Sequence, residues 1–183
     1  MLERLIHASG DLSIANLFRF TPGACQRMVK ALASGSTILT DTAMAAAAVM
    51  PMAKRTFNNP VLSVLQWAPA FAPHGNTRTA IGMDHALKEH PDSLVLIGSS
   101  PTALLQVISL VNMGEIPPTM VVGMPVGFVG VSESKACLLR SYLPYVLLSG
   151  SRGGAGLVAS VANALLRRAF IDQQHLDDCH INN

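Results

Sequence analysis

Cysteine is sparse in this 183-residue chain: Cys25, Cys137 and Cys179 are scattered, odd in number and never in a C-x-x-C spacing. That argues against a disulfide framework or a cysteine zinc site and suits a reduced, cytoplasmic protein. Aromatic residues make up 5% of the chain and charged residues 13%, with a net charge of +2 and no run of Lys or Arg. A nucleic-acid partner requires a basic stripe or stacking platforms, so it is disfavoured. Long apolar runs are missing too. AMAAAAVMPMA (43–53) is interrupted by Pro51 and falls short of the roughly 18–20 residues a membrane span needs. The start of the chain lacks the basic, apolar and small-residue regions of a secretory signal.

Half of the residues are hydrophobic and the mean hydropathy is +0.38, which points to a largely buried sheet, a subunit interface, or both. The length suits one domain with a proper core. STILT (36–40), VLSVL (61–65), SLVLIG (93–98), TMVVGM (119–124) and YVLLSG (145–150) are short Val/Ile/Leu-rich runs. Helical patterns are expected from about Asp41 and near 101–113, 131–143 and 154–168. In TPGACQRMVKALASG, Thr21 is a candidate N-cap, Pro22 a first helical residue and Gly35 a stop, with Cys25, Met28, Val29 and Leu32 on one face. Continuous apolar strands separated by helices predict a three-layer α/β fold, a mainly parallel sheet covered on both faces. The domain is expected over 1–168, followed by a polar, frayed tail over 169–183.

Parallel sheets gather ligands at the carboxyl ends of their strands. Small polar residues concentrate at those junctions here: TDT (40–42), GSSPT (98–102), GMPVGFVG (123–130) and SGSRGGAG (149–156). Such a rim suits a ligand with several carboxylates or phosphates, although α/β turns use small residues in any case. The chain contains no GxxxxGK[ST], no GxGxxG at a strand–helix turn and no GxSxG elbow. His175 and His180, beside Asp177, Asp178 and Cys179, have a metal-like spacing that a polar tail explains better; no metal site is expected. His74, His85 and His90 share no ligand spacing and read as surface or turn residues.

Two polar side chains remain open from spacing alone. In LIHASGD (5–11), His7 is a helix-end filler, a buried hydrogen-bonding residue or a catalytic acid. In GNTRTA (75–80), Arg78 forks onto a carboxylate, sits on the surface, or caps a neighbouring carbonyl.

ERLIHASGD (3–11), TDTAM (40–44), GNTRTA (75–80), IGSSPTALL (97–105), GMPVGFVGVSESK (123–135) and SRGGAG with the following NALL (151–166) together resemble the precorrin-8X methylmutase family of cobalamin biosynthesis, in the family's order. The resemblance implies an α/β homodimer with sites near the interface, no cofactor, and an isomerase that shifts a methyl group between adjacent ring C carbons of a corrin precursor. The family's catalytic histidine falls on His7 and its substrate-contacting arginine on Arg4. The shift requires the macrocycle to be polarised, and a histidine delivering a proton to the ring C nitrogen and recovering it would do this. A position near a helix C-terminus suits a cation, and Asp11 either orients His7 or caps the next segment of chain. Arg78, Arg152 and backbone N–H groups near Ser99, Ser100, Gly127, Gly153 and Gly154 would then hold the acetate and propionate arms. Met124, Val126 and Phe128 would lie against the macrocycle face.

The sequence departs from the family's pattern at Ser99 and Ser100, where Asn-Ala is usual, and at Ala155, where serine is common. Family members also carry a segment ahead of the IH motif, with a serine–phenylalanine element that contacts substrate. This sequence begins after that point, which is expected to mean either a misassigned start or a shortened form that is inactive or incompletely folded. The alternative function is a corrinoid-binding protein without catalysis.

Overall fold

A computed structural model describes residues 1–115 and 117–181, with side chains of the last helix described as far as His175. The chain opens with α1 (Leu2–Ser9), a 3₁₀ turn (Leu12–Leu17) and β1 (Phe18–Phe20), then α2 (Ala24–Ala33), β2 (Ile38–Thr40) and α3 (Ala43–Arg55). Strand β3 (Val61–Ser63) runs into a second 3₁₀ turn (Val64–Trp67) and is followed by α4 (Arg78–Glu89). Then come β4 (Leu94–Ile97), α5 (Pro101–Asn112), β5 (Met120–Gly123), α6 (Val131–Arg140), β6 (Tyr145–Leu148) and α7 (Ala155–Ile181).

The six strands form one sheet in the order β1-β6-β5-β4-β2-β3. All neighbours are parallel except β1, which runs antiparallel to β6 with Phe18 opposite Leu148. The two-residue period of a strand sends alternate side chains to opposite faces. Leu94, Leu96, Met120, Val122, Val146 and Leu148 enter a core shared with α1, α2, α3 and α7. Val95, Ile97, Val121 and Leu147 enter a second core shared with α4, α5 and α6. The expected three-layer α/β architecture is therefore present, and it accounts for the high apolar content.

Three local expectations are corrected. Thr21 does not cap α2. The N-cap is Gly23, and the Thr21 hydroxyl instead meets the backbone of Tyr145, pinning the β1 edge. The VLSVL run is extended only to Ser63, where the serine side chain accepts from Leu65 N and starts the 3₁₀ turn. Helix α7 does not stop near Arg168 but runs 27 residues to Ile181. Ala169 is buried, Phe170 packs edge-on against Phe57, and Arg168 pairs with Asp172 one turn on. Among the described residues, no helix is long and apolar enough to cross a membrane.

Candidate active site

The strand ends present two rims. The first lies at β2 and β4, where the strand order reverses and a doubly wound sheet ordinarily opens a crevice. Asp41 follows β2 and is fully buried. Its Oδ2 accepts the amides of Gly98, Ser99 and Ser100 at 3.1, 2.6 and 2.8 Å. Burial raises its pKa above the ordinary carboxylate value, while these three amides oppose that shift. Above it, the Ser100 hydroxyl caps α5 and the Thr77 hydroxyl caps α4. Thr77, Thr79, Ser100 and Thr102 close a ring of hydroxyl contacts between 2.7 and 3.2 Å. The amides of Ser99 and Ser100 are thus not available to a ligand carboxylate, which corrects the expectation for that pair. Arg78 opens α4, and its Nε donates to the carbonyl of Pro69 at 2.7 Å. The carbonyl cap is thus formed, on a side chain that is also exposed.

The second rim lies beyond β5 and β6 and is open. A cleft of about 740 Å³ is lined by Ala8, Ser9, Asp11 and Ile14 on one wall and by Val126–Phe128 and Ser151–Gly154 on the other, within the size range of small-molecule sites. Val126 is half-exposed, and Phe128 and Val129 are 94% and 90% exposed, so an apolar loop stands over the opening. The start of α7, from Gly156 to Ser160, closes the far end.

Backbone packing explains why the loops are glycine-rich. A Cβ on Gly153 would overlap the carbonyl oxygen of Met124, and Gly154 N donates to that same oxygen at 2.9 Å. Gly127 N donates to Ser151 O at 3.1 Å, which ties the two loops together. The amides of Gly127 and Gly154 are therefore committed within the protein, another correction, whereas Gly153 N donates to no group among the described residues.

Arg152 reaches across the cleft to form an ion pair with the Asp11 carboxylate and a 2.8 Å hydrogen bond to the Ser13 hydroxyl. Asp11 also caps the 3₁₀ turn by accepting from Ser13 N at 2.8 Å. Ser13, followed by the Arg152 charge, holds the Asp11 carboxyl below its ordinary pKa. Asp11 thus serves the turn and Arg152; no hydrogen bond joins it to His7 among the described residues.

Helix α1 ends at Gly10 in the left-handed conformation, with φ 64° and His7 in its last turn. His7 and Arg4 are both exposed on this helix. Ala8 and Ser9 line the cleft, while Arg4 lines a separate apolar groove against α2 and α7. The structure therefore gathers Gly127, Arg152, Gly153 and Gly154 in one cavity, sets His7 on α1 beside the lining residues Ala8 and Ser9, and puts Arg4 in the separate groove. Arg78, Ser99 and Ser100 stand on the first rim. His74 and His85 are exposed, and His90 is half-buried at the end of α4. Among the described residues, no three His, Cys, Asp or Glu side chains cluster as a metal would need; the His180 side chain lies outside the described residues.

Sequence reading passed over two buried charges that shape these rims, Asp41 and Lys135. The lysine, on α6, is only 2% exposed, and its Nζ donates to the carbonyls of Gly150 and Arg152 at 2.7 and 2.6 Å. Burial lowers its pKa to about 8. The signal was available: Val131, Lys135 and Leu138 stand at i, i+4 and i+7, so helical periodicity turns the lysine inward.

Residues 1–168 match the family described as precorrin-8X methylmutase. A cobalt-precorrin-8 methylmutase of Synechocystis is 34% identical over 182 residues, covering 92% of this chain and 83% of that protein. A precorrin-8X methylmutase of Pseudomonas aeruginosa is 39% identical over 171 residues, covering 88% and 80%. The solved structure of a precorrin-8X methylmutase from Thermus thermophilus superposes with a TM-score of 0.83 at 34% identity, covering 93% of this chain and 84% of that one.

Proposed function

The chain belongs to the precorrin-8X methylmutase family of cobalamin biosynthesis, isomerases that move a methyl group within the macrocycle, and from that premise we propose that His7 is its general acid and base. The observation carrying the proposal is the open cleft beside α1. It has an apolar loop for the macrocycle face, Arg152 for a carboxylate arm, and the last turn of α1 along its edge. His7 is exposed next to Ala8 and Ser9, so its imidazole is free to meet a ligand that overlaps the cleft wall.

Protonation of the ring C nitrogen by His7 draws electron density from the conjugated system and lets the methyl group migrate to the adjacent carbon. Return of the proton to His7 completes the isomerisation with no net change in atoms or charge. Arg4, one turn before His7, and Arg152 hold carboxylate arms by charge-assisted hydrogen bonds. The Gly153 amide adds a neutral donor. No redox or metal cofactor enters this scheme, and the macrocycle is substrate.

A second copy of the chain placed over the exposed Phe128 and Val129 would enclose the ligand, so the working form is a homodimer. The free thiols of Cys25 and Cys137 suit a reduced, cytoplasmic setting.

The test follows the absorbance of precorrin-8X with the purified chain, because the shift changes the conjugation. The wild type is expected to convert it. His7→Ala is expected to bind hydrogenobyrinate while kcat falls by about 10²–10⁴-fold. Turnover retained in His7→Ala removes His7 as the acid. A wild type that binds the pigment without converting it supports the carrier reading, which family membership does not favour.

A further inference from the structure

One buried charge has no part in the proton transfer. Lys135 lies behind the Gly150–Gly154 loop, outside the residues lining the cleft, with its ammonium on two carbonyls of that loop. The described chain contains no cis peptide bond, and in a planar trans peptide the N–H points opposite to the C=O. Carbonyls that converge on Nζ from Gly150 and Arg152 therefore turn the amides of the same two peptide units, Ser151 N–H and Gly153 N–H, away from Lys135. Ser151 and Gly153 both line the cleft, and neither amide donates to any group among the described residues. A cation on the carbonyl oxygen also withdraws density from its peptide unit and makes the N–H a stronger donor.

We propose that Lys135 is a positioning residue: by holding the Gly150 and Arg152 carbonyls it aims and polarises the Ser151 and Gly153 amides as a paired binding point for one carboxylate arm of the substrate. The inference rests on the methylmutase reading for the identity of the ligand, and on the loop geometry alone for the polarised pair. A lysine suits the task because three donors on one nitrogen can serve two carbonyls at once while the charge stays out of the cleft. Binding at this point is common to substrate and transition state, so it appears in KM rather than kcat.

The first arm of the test needs no substrate. The Ser151 and Gly153 amides of the ¹⁵N-labelled full chain are followed by NMR between roughly pH 6 and 10, a range that spans the Lys135 transition. Both amide protons are expected to move together with a midpoint near about 8, and to lose that movement in Lys135→Met. Amides indifferent to pH in the wild type overturn the proposal, even if Lys135→Met does not fold.

The second arm measures turnover of precorrin-8X and binding of hydrogenobyrinate. Lys135→Met is expected to raise KM and Kd about tenfold with kcat within about threefold, and Lys135→Arg to recover most of the affinity. A folded Lys135→Met with unchanged KM, or with reduced kcat at unchanged KM, overturns the proposal. Titrating amides in a wild type that neither binds nor converts the macrocycle would sink the methylmutase reading and support the polarised pair.

Discussion

At the end of β4 a buried carboxylate, Asp41, draws three backbone amides inward; beyond β6 a buried ammonium, Lys135, draws two carbonyls inward. The same strand-end architecture is thereby closed at one place and open at the other. Every peptide unit has a donor and an acceptor end, so the sign of the buried charge decides which end faces the ligand. An anion beneath the rim consumes the donors that would receive carboxylates, and a cation beneath it releases them. Small turn residues are common to both rims and do not by themselves distinguish donors that are occupied from donors that are free.

The most damaging way to disturb this contrast is to force the loops off their supports. Gly153→Ala places a Cβ on the Met124 carbonyl, and Gly98→Ala places one within 2.6 Å of the Ala155 amide. Each is expected to cost on the order of 3 kcal/mol or more in urea unfolding, because the obstacle is backbone in both cases. The open rim should also lose ligand binding in Gly153→Ala.

Asp41→Ala should come next, at about 3 kcal/mol, since it leaves three amides without their acceptor. Added acetate should return part of that stability by occupying the vacated place, which would turn the closed rim into an open one. If acetate does nothing for the variant, the contrast is not one of donor availability.

The third prediction concerns pH. Burial lowers the Lys135 pKa from 10.5 to about 8, so between those values the unfolded chain holds a proton that the native chain has released. Stability from this group therefore rises with pH across that window, by up to about 3 kcal/mol. Urea midpoints near pH 8 and pH 10 should show the rise in the wild type and its loss in Lys135→Met. Asp41 has the opposite sense: its raised pKa makes its contribution fall as pH rises above the ordinary carboxylate value.

Smallest of all is Asp11→Asn. The Asp11–Arg152 pair is exposed, and exposed pairs add little to stability. The unfolding midpoint should barely move, and hydrogenobyrinate affinity should change by less than about threefold, provided Ser13 keeps Arg152 in place.

Much of this architecture was legible because apolar runs such as LVLI and MVVG admit few other readings. Their alternate residues supply two separate cores, as a doubly covered sheet requires. The FRF edge strand was not legible: three residues give no period, and their partner is β6, far along the chain. Helix α7 was cut short because composition turns polar after Arg168, yet an i,i+4 ion pair and the Phe57–Phe170 contact continue it. Among the candidate residues, the position of the glycines and Arg152 along the cleft was legible from their loop, since tight backbone approach demands glycine, while the commitment of the Gly127 and Gly154 amides was not. Ser99 and Ser100 misled because no sequence pattern shows that a carboxylate 58 and 59 positions away occupies their amides. Lys135 was hidden by the habit of assigning lysines to the surface, although its helical phase pointed inward.

The antiparallel pairing of β1 with β6 has a kinetic consequence. One wall of the cleft comes from the first residues of the chain and the other from beyond residue 125, and the Arg152–Asp11 bridge joins groups 141 positions apart. Contacts of such separation carry the largest loop-closure entropy and are expected to form late in folding. The parallel strands can assemble while the amino-terminal edge is still free, but the cleft does not exist until that edge docks. Recovery of ligand binding during refolding should therefore lag behind recovery of the sheet, so the step expected last in making the fold is the one that makes the cleft.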